Sequence, residues 1–285
     1  MNYRHAYHAG NFADVVKHAL FALAIEHLRQ KPTPFRIIDS HAGRCLYRLD
    51  GAEANKTQEW RGGIGRLLGR EAKPLPPELE PLLAGYLEVV RQHNLAGDLA
   101  LYPGSPAIAQ SLLRPQDTLL VNEAHPEELQ QLRATVRRRG KVKVLGLDAW
   151  AALRAVLPPP ERRGLILIDP AFEAEGELER LAEAIAAGLQ RFATGVFLAW
   201  YPIKDARTAV RLNKAVTSRV AGKLLSLELL IQQPTDRQRL NGCGLIIANP
   251  PFTFEGVLNS AGPALARVLA VGPGANCSVR WLKAL

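Results

Sequence analysis

The composition describes a basic, globular chain. Of its 285 residues, 47% are hydrophobic and 22% charged, enough for a sizeable core in one large domain or in a domain with an insertion. Lys and Arg number 36 against 27 Asp and Glu, and the net charge of +9 suits a polyanionic partner. No apolar run approaches the roughly 20 residues of a membrane span, and the first residues lack a signal-peptide core, so we expect a cytoplasmic protein without a membrane partner.

The cysteines indicate neither a metal site nor a disulfide framework. Cys45, Cys243 and Cys277 are far apart and form no CxxC pair. We therefore expect no metal, and a monomer is the expected state.

The first ten residues have no helical or strand periodicity. Tyr3 and His5 belong to a crowd of aromatic and basic side chains before Gly10. Exposed, such side chains can stack on unpaired bases and contact phosphate. The alternative is a tail packed on the body through its tyrosines.

A helix is predicted directly after this tail. Asn11 is its expected N-cap and Asp14 its capping-box partner, and the apolar spacing continues to about Leu28. Lys17 and His18 lie in its early turns, near whatever the cap faces.

Short apolar runs alternating with helical patterns predict an α/β fold with a seven-stranded, mostly parallel sheet. The predicted strands cover residues 35–38, 118–122, 143–147, 164–169, 194–200, 224–231 and 244–248. In such a sheet, ligands bind at the carboxyl ends of the strands.

Residues 50–99 interrupt this rhythm. Helical patterns at 57–68 and 77–93 flank the proline-rich stretch 73–77. They predict a small inserted helical subdomain, with residues 1–49 and 100–285 forming the main domain.

Acidic residues follow three of the predicted strands. The first strand ends in Asp39-Ser40-His41-Ala42-Gly43, where a nucleotide-type cofactor would enter, although one glycine does not make a dinucleotide fingerprint. Glu123 follows the second strand, where a ribose diol would be bound, and Asp148 follows the third, where a carboxylate could accept from an adenine amine. Ordinary charged strand ends are the alternative.

The predicted strand at 164–169 ends abruptly in Asp169-Pro170-Ala171-Phe172. In methyltransferases of exocyclic amines, which this turn resembles, an adenine N6 amine is a poor nucleophile that needs acceptors for its two hydrogens. Here the Asp169 carboxylate and the Pro170 carbonyl could supply them. Phe172 can stack on the base. The alternative is a strand-end cap and a core aromatic.

This turn resembles the catalytic turn of S-adenosylmethionine-dependent methyltransferases that modify exocyclic amines. Ala171 stands where that pattern has a second proline, so the turn is less rigid. Asn249-Pro250-Pro251-Phe252 matches the pattern better, but it follows the seventh strand. We expect that strand to be antiparallel, which places its end at the wrong edge of the sheet.

Two basic clusters favour phosphate contact. One spans Arg133–Lys143 without an acid, and the other spans Lys204–Lys223 with Asp205 alone opposing it. Taken singly, each would be read as a solvated helix face.

The motifs together resemble the bacterial 23S ribosomal RNA adenine-N6 methyltransferases of the RlmJ type, in order and over essentially the whole chain. They lie at Tyr3–Asn11, Asp14–His18, Asp39–Gly43, Tyr102–Pro106, Glu123–Pro126, Arg162–Pro170 and Arg191–Gly195. The resemblance implies a Rossmann-like class I methyltransferase fold with a small helical insertion.

The resemblance also implies roles for individual residues. S-adenosylmethionine would be contacted, or its pocket shaped, by His18, His41, Ser105, Glu123, Asp148, Ala149 and Asp169. Asp169 would also be the catalytic acceptor. The substrate RNA would be contacted by Tyr3, His5, Lys17, Pro170 and Phe172.

The predicted function is S-adenosylmethionine-dependent methylation of N6 of a single adenine in 23S rRNA, flipped out or already unpaired. A DNA adenine-N6 methyltransferase is one alternative, although no reader of duplex DNA is recognisable. A catalytically weakened RNA- or cofactor-binding homologue, suggested by Ala171, is the other.

Overall fold

The computed structural model describes residues 4–136 and 141–284. Its strands are β1 (Arg36–Asp39), β2 (Leu46–Arg48), β3 (Leu101–Pro103), β4 (Thr118–Asn122), β5 (Lys141–Leu145), β6 (Gly164–Ile168), β7 (Val196–Ile203), β8 (Leu224–Leu230), β9 (Gly242–Ala248) and β10 (Asn276–Lys283). Its helices are α1 (Phe12–Arg29), α2 (Ala52–Thr57), α3 (Gly65–Leu68), α4 (Glu80–Gln92), α5 (Ser105–Leu112), α6 (Pro126–Thr135), α7 (Ala149–Val156), α8 (Glu177–Arg191), α9 (Ala206–Arg219) and α10 (Phe254–Leu269).

Eight strands form the central sheet, in the order β10-β8-β9-β7-β6-β1-β4-β5. The neighbours from β7 to β5 pair in parallel. β9 is antiparallel to both β7 and β8, and β10 is antiparallel to β8. The carboxyl ends of β1, β4, β5, β6 and β7 therefore share one edge, called the carboxyl edge below.

The predicted α/β fold with a mostly parallel sheet is confirmed, but the strand count of seven was wrong. The eighth strand, β10, lies at the sheet edge with most of its residues half-buried or exposed. Its sequence lacks the continuous apolar run that marks the buried strands. β5, at the other edge, has the same mixed burial and begins two residues earlier than predicted.

The predicted antiparallel direction of the last apolar strand, β9, is confirmed. The Asn249 turn therefore lies at the edge opposite to the ends of the parallel strands. The Asn249 amide donates to the carbonyls of Ala193 (2.8 Å) and Gly195 (2.9 Å), which makes it a structural turn.

α1 is the most deeply buried helix of the fold. Val15, Val16, Leu20, Phe21 and Ile25 have no exposed surface, and burial of each such side chain contributes roughly 1.5–3 kcal/mol. It packs with α4, α5 and α10 against one face of the sheet, and the apolar residues of α8 and α9 cover the other face.

The start of α1 is fixed by two side chains that cap it. Asn11 Oδ1 accepts from the backbone N–H groups of Ala13 and Asp14, both at 3.0 Å. Asp14 accepts from Gly10 N (2.9 Å) instead of from the cap residue itself. Since β1 begins at the opposite edge soon after α1 ends, the first turns of α1 lie at the carboxyl edge.

The helices between residues 52 and 92 lie, in sequence, between the two strands of a small second sheet. β2 and β3 pair antiparallel, with Tyr47 opposite Tyr102. α4 packs on α1, and its buried side chains, Tyr86 among them, belong to the same core cluster as those of α1.

Candidate active site

Four carboxylates follow neighbouring parallel strands and meet at the carboxyl edge. Asp39 ends β1, Glu123 follows β4, Asp148 lies beyond β5, and Asp169 follows β6. Their placement follows from the strand order β6-β1-β4-β5. Ligand sites of doubly wound folds lie at this edge.

Asp39 is fully buried. Its carboxylate accepts from Ser105 Oγ (2.6 Å) and from His41 N (3.3 Å). Burial raises the pKa of Asp39 to about 7, and the negative charge of Asp169 acts in the same direction. The buried Ser105 hydroxyl, at the start of α5, is thus held by Asp39.

Glu123 connects the loop after β1 to the end of β4. Its two oxygens accept from Gly43 N and His125 N, both at 2.8 Å. Burial raises its pKa. Gly43 has a φ of +63°, and a Cβ there would lie 2.1 Å from Tyr47 Oη, so glycine is required for this approach.

His41 and Trp150 form an aromatic wall beside Asp148. Their rings meet edge to face, with centroids 5.7 Å apart. Burial lowers the pKa of His41 to about 4, so the imidazole is neutral at physiological pH. Asp148 is exposed, caps α7 through Ala151 N (2.8 Å), and is followed by the buried Ala149.

His18 lies deeper, beneath this edge, and is 1% exposed. Its Nδ1 is 2.7 Å from Tyr102 Oη, which is 3.0 Å from Tyr86 Oη. Burial, together with the charge of Lys17, holds the pKa of His18 well below its ordinary value. His18 is therefore a neutral member of a buried hydrogen-bonded chain.

Lys17 joins two carboxylates in the interior. Its ammonium is 2.8 Å from Asp14 Oδ1 and also pairs with Asp169 Oδ2. Asp14 Oδ2 accepts from Gly10 N and pairs with His5 Nε2, both at 2.9 Å. We call these four side chains, His5, Asp14, Lys17 and Asp169, the buried ion chain.

The charges in the buried ion chain overcome the cost of burial. Burial alone would raise the pKa of Asp14, but the charges of His5 and Lys17 hold it well below its usual range. Burial alone would lower the pKa of Lys17, but Asp14 and Asp169 raise it. Lys17 is therefore a fixed internal cation.

The described part of the N-terminal tail packs on the body. The His5 ring meets Tyr47 edge to face at 5.1 Å, Arg4 pairs with Glu127 of α6 at 2.9 Å, and His8 pairs with Glu59 at 2.9 Å. Tyr3 lies outside the described residues, as do residues 137–140 of the first basic cluster.

The turn after β6 presents Asp169 at the carboxyl edge. The Asp169 side chain is 16% exposed and Pro170 is buried. Phe172 has a φ of +54°, an uncommon conformation for an aromatic residue, and its ring meets Trp200 of β7 edge to face at 5.8 Å. The half-buried Phe172 ring thus borders the turn that carries Asp169.

Residues 4–136 and 141–284 contain neither a cluster of metal-binding side chains nor a helix that could span a membrane. Their Cys, His, Asp and Glu side chains nowhere form a group of three or more placed to hold a metal ion. None of their helices combines the length and apolar character needed to cross a membrane.

Residues 32–283 match the protein family described as "Ribosomal RNA large subunit methyltransferase D, RlmJ". The chain belongs to this family. The resemblance drawn from the sequence motifs is thereby confirmed.

Members of the family align over nearly their whole length with this chain. "Ribosomal RNA large subunit methyltransferase J" of Escherichia coli K12 is 38% identical over 282 residues, or 99% of each chain. The protein of the same name from Haemophilus influenzae is 35% identical over 283 residues, again 99% of each. A crystal structure of a Legionella pneumophila protein is 35% identical, with a TM-score of 0.84 over 96% of this chain and 97% of that one.

The structure brings together several residues that sequence reasoning did not select for this candidate site. Asp14 was given only a capping role, and Asp39 only a place in a loop motif. Trp150 and Trp200 were not selected. Local signals existed for Asp14 and Asp39, which sit at a helix start and a strand end. The two tryptophans carry no such signal because their ring contacts are non-local.

Proposed function

We propose that this protein transfers a methyl group from S-adenosylmethionine to the N6 amine of a single adenine in 23S rRNA. The observation that carries the proposal is the setting of Asp169. It stands at the carboxyl end of β6 with Oδ2 held by a buried cation. Oδ1 makes no hydrogen bond to a described residue, so it remains available as an acceptor.

The residues at the carboxyl edge fit S-adenosylmethionine. We assign Glu123 to the ribose hydroxyls and Asp148 to the adenine amine, and their positions after β4 and β5 support this assignment. The half-exposed Leu147 and the His41–Trp150 pair supply apolar surface. Asp39, Ser105 and the backbone of residues 40–43 would face the methionine part. The bound cofactor supplies a methyl group activated by a sulfonium.

The chain itself supplies acceptors and orientation. The Asp169 carboxylate and the Pro170 carbonyl accept the two hydrogens of the target amine, which lets its nitrogen direct a lone pair at the methyl group. Lys17 pairs with one oxygen of Asp169 and fixes the orientation of the carboxylate. Phe172, braced by Trp200, offers its ring to the base.

This proposal changes the part given to two predicted RNA contacts. The Lys17 side chain is 5% exposed and its ammonium is bound between two carboxylates, so we assign it to the orientation of Asp169. His5 contacts Asp14, which binds the Lys17 ammonium. We therefore propose that His5 links the N-terminal tail, to which Tyr3 belongs, to this cation.

Further parts of the proposal concern organisation. We propose a monomeric, metal-free, cytoplasmic enzyme. We also propose residues 50–99 as an inserted helical subdomain, supported by the β2–β3 pair that closes the segment at its base.

The proposal is tested by tritium-methyl transfer to unmodified 23S rRNA, followed by digestion and nucleoside chromatography. Label in N6-methyladenosine is expected, with turnover lowered well over tenfold in Asp169→Asn because the uncharged amide is a weaker acceptor. Cofactor affinity, measured by calorimetry, should be almost unchanged.

Asp98→Asn is a matched control, since Asp98 is exposed and pairs with Arg70 on the surface. Duplex DNA serves as the competing substrate. Label in DNA alone would overturn the substrate, and equal turnover of Asp169→Asn would overturn the role of Asp169.

A further inference from the structure

The exposed face of α9 is a second surface that borders the catalytic turn. Five of its exposed residues recur every three or four positions and so share one side of the helix: Arg207, Val210, Arg211, Lys214 and Ser218. Ala209, Leu212 and Val216 are buried on the opposite side. We call this exposed side, together with Lys204 just before the helix, the α9 face.

Most cations of the α9 face are not neutralised by neighbouring acids. Lys204, Arg207 and Lys214 form no ion pair with any residue in the described part of the chain. Arg211 pairs with Glu179 of α8 at 2.8 Å. Asp205 caps the helix and pairs with Arg237 at 3.3 Å. The face therefore keeps a net positive charge, which attracts phosphate.

An open cavity of about 210 Å³ connects the α9 face to the catalytic turn. Phe172 and Pro202 line its apolar side, and Lys204 and Thr208 line its polar side. Phe172 therefore belongs both to the cavity lining and to the turn that carries Asp169. Its mixture of a flat ring, a cation and a hydroxyl suits a nucleotide.

Two acidic residues also line this cavity. Glu179 is paired with Arg211. Burial raises the pKa of Glu177. Neither residue forms an ion pair with Lys204.

A solvated helix face is the simple alternative for such a cluster. Solvated surfaces usually mix both charge signs, whereas α9 contains no acidic residue between Ala206 and Arg219. The cluster also shares a cavity with Phe172 of the catalytic turn. These two features together favour a ligand.

We propose that the α9 face binds the phosphates of the RNA strand that flanks the target adenine, and that the cavity receives a neighbouring nucleotide. This inference rests on the proposed function, because the strand is the rRNA whose adenine meets Asp169. It adds the path of the substrate over the surface of the protein.

The test is filter binding of radiolabelled, unmodified 23S rRNA to the full chain at several salt concentrations. The triple variant Lys204→Ala, Arg207→Ala, Lys214→Ala should bind roughly tenfold more weakly. Its salt slope should be shallower by about 0.7 for each single-strand phosphate that the variant no longer neutralises. The KM for RNA in methyl transfer should rise with it, while kcat and cofactor affinity change little.

Two control variants separate this effect from general charge and folding. Lys31→Ala removes an exposed cation from the loop between α1 and β1, at the opposite edge, and should bind like the wild type. The triple variant Lys204→Arg, Arg207→Lys, Lys214→Arg should retain binding.

The outcomes distinguish this inference from the proposed function. A triple alanine variant with the RNA affinity and salt slope of Lys31→Ala would overturn the α9 face as a binding site. Weaker RNA binding by the triple alanine variant would support the α9 face as a binding site. If the wild type at the same time transferred no methyl group, the proposed reaction would be overturned.

Discussion

The carboxyl edge holds buried carboxyl groups in two different surroundings. On the side of β1 and β4, Asp39 and Glu123 are buried and bonded to N–H and O–H groups, and their pKa values are raised. On the side of α1, Asp14 is equally buried but contacts charged partners, and its pKa is held low. Environment decides the charge that each carboxyl carries.

The difference matches the chemistry that we propose for each half. The β1–β4 half needs acceptors that hold the backbone of a loop and the hydroxyls of a ligand. The α1 half needs an acceptor of fixed orientation next to the target amine, and the buried Lys17 holds Asp169 by an ion pair.

Substitution of Lys17 should lower the free energy of unfolding, and this is the largest effect that we expect. Lys17→Met leaves the carboxylates of Asp14 and Asp169 without their shared cation, and loss of one partner from a buried pair costs about 3–5 kcal/mol. Chemical denaturation at neutral pH measures this loss. Lys56→Met, on the exposed surface, is the control.

The pH dependence of that stability has a defined sign. Because the pKa of Asp14 is held below its unfolded value, its contribution is present at neutral pH and is lost as pH falls below the ordinary carboxyl range. Because the pKa of Lys17 is raised, its contribution persists until pH rises above the ordinary lysine range. A variant as stable as the wild type at neutral pH would contradict the buried ion chain.

Glu123→Gln tests the other half. The amide cannot accept from Gly43 N and His125 N with both atoms, so the loop after β1 loosens and cofactor binding weakens. The expected loss is about 1–3 kcal/mol of binding free energy, measured by calorimetry. Unchanged affinity would show that Glu123 is only a charged strand end.

Asp39 gives a pH dependence to the same half. With a pKa of about 7, its carboxyl gains negative charge as pH rises from 6 to 8, and the cationic cofactor should bind several-fold more tightly. His41, whose pKa is about 4, does not titrate in this range. Calorimetric titrations across this range should show the rise in the wild type and its absence in Asp39→Asn.

The smallest effect is expected at Ala171. Ala171→Pro stiffens the catalytic turn without removing an acceptor, so methyl transfer should be preserved or modestly raised. A clear loss of kcat in the transfer assay would show that the turn needs its present flexibility.

The sequence was most informative where structure is local. Buried parallel strands are continuous apolar runs, so the ends of β4 and β6, and with them Glu123 and Asp169, could be located from the pattern alone. β10 and the start of β5 were not predicted because these edge strands consist of half-buried and exposed residues and lack a continuous apolar run.

Contacts between distant residues were beyond the sequence pattern. Lys17 and Asp169 are 152 positions apart, and nothing in either neighbourhood indicates the other. Asp14 already had a sufficient local explanation as a capping residue, which concealed its place between His5 and Lys17. The strain at Phe172 is likewise a property of the folded turn.

The deep burial of α1 has a consequence for how the protein loses activity. Helices enclosed on both sides exchange their amide hydrogens only when the whole domain opens. Asp14, Lys17 and His18 are on such a helix, so we expect that the α1 half does not unfold separately from the rest of the domain. Hydrogen exchange across α1 should match the global unfolding equilibrium, and thermal inactivation should coincide with the loss of tertiary structure.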